Sequence, residues 1–118
     1  MHLVILGDED RTIEQKITYI LVDPLSVDFL WDVGKDPFGG VPYIMAPISC
    51  IKRLIEEIEK GTKDETVVCQ ESGPFNYIGA KIGRQVVELN YNKAGNTMVE
   101  ILSVKSLLKI KRALNTQS

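Results

Sequence analysis

"VDFLWDV", Val27 to Val33, is the stretch that decides how this chain is read. Val27, Phe29, Trp31 and Val33 fall on one side of an extended segment, and Asp28, Leu30 and Asp32 fall on the other. A period of two marks a half-buried strand. The inner side carries two large aromatics, which contribute heavily to a small core. The outer side carries two aspartates, with Asp36 following in the next loop. Such a strand needs a sheet around it and another layer over its apolar face.

Working outward, His2–Leu6 reads as a short first strand, and Gly7 with "DED" as a turn. "KITYILV" (16–22) is rich in β-branched and aromatic residues and reads as a central strand broken by Asp23-Pro24. "APISCIKRLIEEIEKG" places Ile48, Ile51, Leu54, Ile55 and Ile58 at helical spacing, with Ser49 as N-cap and Gly61 as the stop. "ETVVCQE" (65–71), "RQVVELNY" (84–91) and "TMVEIL" (97–102) read as strands, the last two joined by the hairpin turn "NKAGN". Ser103 caps a final helix, Val104–Leu114. The expectation is one α+β domain over residues 1–118, with a mostly antiparallel sheet of about six strands and two covering helices. No internal repeat is evident.

The chain has 118 residues, 44% apolar and 25% charged, which suffices for a core without metal or disulfide staples. The first residues lack the basic start and cleavage site of a signal peptide, and no apolar run approaches a membrane span, so the expected location is the cytoplasm. There Cys50 and Cys69 read as buried thiols, although a bond between them stays open. Neither belongs to a CxxC pair and His2 is the only histidine, so a zinc site lacks its ligands and no cofactor is expected. The net charge of −2 conceals a split. Residues 1–36 hold eight acids against three bases, and residues 72–118 hold two acids against seven bases. Either the two ends form separate faces or they interleave and the charges mix.

Two glycine-rich stretches invite a phosphate reading. "GKDPFGG" (34–40) matches neither GxxxxGK[ST] nor GxGxxG, and "GAKIG" (79–83) is one residue longer than the GXXG nucleic-acid clamp. Turns requiring positive φ explain both better. Catalysis finds little support. His2 is a poor base candidate near a chain end, and Asp28 and Asp32 stand about 13 Å apart along a strand, wider than glycosidase carboxylates. A small carboxylate-dependent enzyme is one alternative. A nucleic-acid reading of the basic stripe Lys105, Lys109 and Arg112 is another, and the low pI near 5.4 weighs against it.

Protein recognition is the leading expectation. Asp28, Asp32 and Asp36 offer charge to a basic protein, and Phe38 and Tyr43 are the aromatic anchors, with Phe75 and Tyr77 as further candidates. "WDVGKDPFGG", an aromatic–Asp strand entering an Asp-Pro-aromatic-Gly turn, resembles segments of small bacterial immunity proteins, such as those of contact-dependent growth-inhibition systems. That resemblance covers size, acidity and style along the whole chain. It implies a protein that binds one toxin domain, often a basic nuclease, and blocks it without catalysis.

Overall fold

The structure is a computed structural model and describes residues 2–31 and 43–116, with Tyr43 described by its backbone alone. Asp32, Val33, Asp36 and Phe38 lie outside the described residues. The class is α+β, but the single six-stranded sheet is replaced by two antiparallel sheets of four strands each. The first contains β1 (His2–Ile5), β2 (Tyr19–Val22), β3 (Ser26–Leu30) and β4 (Tyr43–Pro47), in chain order. Helix α1 (Ile48–Glu59) follows. The second contains β5 (Glu65–Val68), β6 (Tyr77–Ile82), β7 (Val86–Lys93) and β8 (Asn96–Ser103), again in chain order, and α2 (Val104–Thr116) closes it.

Two strands escaped the sequence reading. β4 follows a Gly/Pro-rich stretch and ends in proline. β6 contains the supposed "GAKIG" turn. Gly79 has no positive φ; it lies in the strand because a Cβ there would meet the Val67 carbonyl oxygen at 2.7 Å and Val68 Cα at 3.0 Å. Positive φ occurs instead at Gly61 and Asp64, after α1, at Gly73, between β5 and β6, and at Ala94-Gly95, which turn β7 into β8.

The element order is a duplication. Each half is a four-stranded meander followed by one helix, and the equivalence extends to single hydrogen bonds. Leu6 N–H donates to Thr18 O at 3.0 Å, as Cys69 N–H donates to Ile78 O at 2.9 Å. Asp23 N–H reaches Ser26 O at 2.8 Å, and Gly83 N–H reaches Val86 O at 2.9 Å. Ile48 N–H binds Leu25 O at 3.1 Å, and Val104 N–H binds Gln85 O at 2.9 Å, so each helix starts against its own half's middle turn. "SVDFL" in β3 thereby corresponds to "VVELN" in β7, with Val27 matching Val87, Asp28 matching Glu88 and Phe29 matching Leu89.

One core serves both halves. Ile20, Val22, Val27, Phe29, Ile44 and Ala46 project from the first sheet, and Ala80, Ile82, Val87, Leu89 and Leu102 from the second, all at most 1% exposed. Leu54 and Ile51 of α1 and Leu107 and Ile110 of α2 complete it. The halves also exchange contacts. α2 packs on β1 and β2, and α1 packs on β6. The Asn76 side chain accepts from Met45 N–H at 2.7 Å, and Gln15 accepts from Ser103 N–H at 2.7 Å, so the first-hairpin connection of each half satisfies the last strand of the other. A single meander has one apolar face and too little depth, and this exchange supplies the missing layer.

Pro47, not Ser49, is the N-cap of α1, and Ser49 Oγ instead hydrogen-bonds Glu71. Ser103 does cap α2, its Oγ accepting from Ser106 N–H at 3.2 Å. Cys50 and Cys69 are joined in a disulfide, with Cα atoms 5.6 Å apart, contrary to the expected free thiols. Cys50 lies in the first turn of α1 and Cys69 just beyond β5, so the bond staples one half to the other.

Candidate functional site

The inner face of the first sheet is committed to the core, and its outer face carries Asp28. The register defines two rows across it. Ile5, Tyr19, Leu30 and Tyr43 form one; Leu3, Leu21, Asp28 and Met45 form the other. Leu3 is 46% exposed and Ile5 64%, Tyr19, Leu21 and Met45 are half-buried, and Leu30 is buried. A sheet facing water normally alternates apolar inside with polar outside. Here the outward positions are themselves apolar, and Asp28 is the one charged side chain in either row.

The expectation for Asp28 needs correcting. It is not an exposed charge but a half-buried one, flanked in register by Leu21 and Met45. Its Oδ1 atom is shut off from solvent and has no hydrogen-bond partner among the described residues. Burial pushes the carboxyl above its ordinary value; hydrogen bonding from Ser26 pulls the other way, and the like charge of Asp23 adds to the rise. A carboxyl raised in the folded state lends most stability when protonated, and that advantage is lost as pH rises through the folded value. Asp28→Asn removes the charge that burial disfavours and is therefore expected to stabilise the free protein at pH 7. Thermal melts should show the gap closing below the ordinary carboxyl value of 3.8.

The second sheet provides an internal reference. Its corresponding rows are Val68, Gly79, Asn90 and Val99, then Thr66, Lys81, Glu88 and Ile101. Glu88 holds the place of Asp28, and opposite it stands Lys81 where the first half has Leu21. Thr66 replaces Leu3 and Asn90 replaces Leu30. One scaffold thus carries two surfaces, a mixed polar one and an apolar one with a single carboxylate. Sequence reading named Asp28 on this face and did not name Leu3, Ile5, Tyr19 and Leu21, which share it. The signal available was that β1 and β2 run apolar, without an outward charge such as Glu88 in β7.

Of the other candidates, Tyr77 is buried within β6 and belongs to the core. Tyr43 occupies the last place of the Ile5–Tyr19–Leu30 row by its backbone. Asp32, Asp36 and Phe38 follow β3 outside the described residues. The basic stripe of α2 is partly spent: Lys109 pairs with buried Asp10 and Lys111 with Glu59. Lys109 and the Gly7 N–H hold the Asp10 carboxyl below its ordinary value against the opposing effect of burial. Acidic and basic ends therefore interleave here, as the mixed-charge alternative expected. A half-open cleft of about 340 Å³ lies at the start of α2, lined by Glu9, Arg11, Arg84, Ser103 and Lys105 among others. Its charges are of both signs and it adjoins the Asp10–Lys109 pair.

No group of three or more metal-binding side chains occurs among the described residues. No helix among them is long and apolar enough to cross a membrane. No protein-family model matches the chain, and no curated protein or solved structure does.

Proposed function

We propose that this chain is a protein-binding module of the immunity type, which neutralises a toxin domain by covering part of its surface. The contact face is the outer side of the first sheet, extended by Asp32, Asp36 and Phe38 beyond β3 and by Tyr43 on β4. The observation that carries this reading is the contrast between the two halves: the outward rows of the first sheet hold a single charged side chain among apolar ones, whereas those of the second mix Thr66, Lys81, Glu88 and Asn90 with Val68, Val99 and Ile101. Large exposed apolar side chains gathered on one face are the mark of an interaction surface. Aspartate among them favours a basic partner and speeds encounter. The cytoplasm is the site of action this reading implies.

The test uses the product of the neighbouring reading frame, purified as a toxin domain. A one-to-one complex is expected, with an association rate that falls about tenfold or more between low and high salt. Ile5→Lys and Leu3→Lys, both at exposed positions, should weaken it by at least a hundredfold while leaving the melting curve within a few degrees. Affinity equal to the parent's in both variants would sink the face assignment.

A further inference from the structure

We infer that Asp28 is the docking point for one cationic side chain, arginine by its chemistry, which the protein partner presents from apolar surroundings. This rests on the protein-binding reading of the first sheet's outer face and goes beyond it in naming the anchoring contact. Three observations converge. Asp28 Oδ1 is shut off from water and has no partner among the described residues. Its register neighbours are Leu21 on β2 and Met45 on β4, neither of which can donate to it. Among the described residues, the groups that act on its carboxyl are Ser26, which lowers its value, and Asp23, whose like charge raises it.

The duplication adds an internal control. In the second half the same strand position holds Glu88, and the chain itself sets a cation opposite it, Lys81. In the first half that place is Leu21, so the carboxylate there faces an apolar side chain across the strand where the second half has a cation. A carboxylate held in an apolar rim loses hydration before any partner arrives. A cation that then meets it gains a strong, charge-assisted hydrogen bond in a low-dielectric setting. Guanidinium suits the place better than ammonium because it is more weakly hydrated and stacks on neighbouring rings, with Tyr19 in the adjacent row. A partner lacking the cation would bury Asp28 unpaired, so the contact also confers specificity.

A displayed library of random twelve-residue peptides, selected on the whole protein, tests this. Enriched peptides are expected to carry one arginine flanked by apolar residues. Their binding should fall at least thirtyfold on Asp28→Asn and equally on replacing the peptide arginine by alanine, with the two changes together costing little more than either alone. Leu21→Lys, which installs the second half's arrangement, should abolish selection and move the Asp28 carboxyl resonance to lower pH. Peptides lost on Ile5→Lys but indifferent to Asp28→Asn overturn the inference and leave the face standing. Peptides indifferent to both Ile5→Lys and Leu3→Lys overturn the face as well. A Lys35→Ala variant whose Asp28 resonance titrates at higher pH than in the parent also overturns the inference, since the chain would then supply its own cation.

Discussion

Phe29→Ala is expected to cost about 3–5 kcal/mol, the usual range for deleting a fully buried phenylalanine. Phe29 is wholly inaccessible to solvent and sits at the centre of the first sheet's inner face, with Ile20 and Ile44 opposite it in register. Strands on both sides fix the backbone, so the space left by the ring cannot collapse easily. Total stability for a domain of this size is roughly 5–15 kcal/mol, so the variant stands near the edge of folding at 37 °C. The midpoint of thermal unfolding should fall by roughly 15–20 °C. Trp31→Ala, half-buried beyond the end of the same strand, should cost much less, about 1–2 kcal/mol. Equal losses at the two positions would contradict the inner-face assignment. Urea unfolding of the three proteins distinguishes these outcomes.

Loss of the Cys50–Cys69 bond is the second large effect. The cysteines are 19 positions apart in sequence. A link closing a loop of that size stabilises by about 3 kcal/mol through the unfolded chain. Because it joins the first turn of α1 to the end of β5, the link also holds the two halves in register. Cys50→Ser with Cys69→Ser should lower the urea midpoint by the corresponding amount, and a reducing agent should do the same to the parent while leaving the double variant unchanged. A parent unaffected by reductant would mean that the thiols are not joined in solution. The result bears on location too. Disulfides persist in oxidising compartments and are rare in the cytosol. A cytoplasmic immunity protein would work without this contribution, on the strength of its core alone.

Much of the fold was legible in the sequence, and where it was not the cause is physical. The alternation in Val27–Leu30 located β3 correctly because valine, aspartate and phenylalanine differ sharply in transfer free energy. The helices followed from isoleucine and leucine spacing. β4 and β6 are no shorter than β1, β2, β3 and β5, and were hidden because each carries a proline or glycine, residues that read locally as turns. Gly79 is needed for the close approach of β5, a fact that exists only once the strands are paired. The repeat was hidden because the correspondence between Phe29 and Leu89 preserves burial and not identity. The connection from β3 to β4 is also much longer than the Ala94-Gly95 turn in the second half. As for the site, Asp28 could be named from alternation, but its environment could not. That depends on Leu21 and Met45 arriving beside it, and register is decided by the whole sheet.

The duplication leaves the chain with two equivalent seams. One is Lys60–Asp64, between α1 and β5, where Gly61 and Asp64 both take positive φ. The other is the space between the end of α2 and the start of β1, where Thr116 and His2 border the same cleft. Closing the second seam with a short flexible linker and opening the first would give a circular permutant in which the halves exchange places along the chain. The order of the halves in the polypeptide is then incidental, and what the architecture requires is that both be present to lend each other a helix.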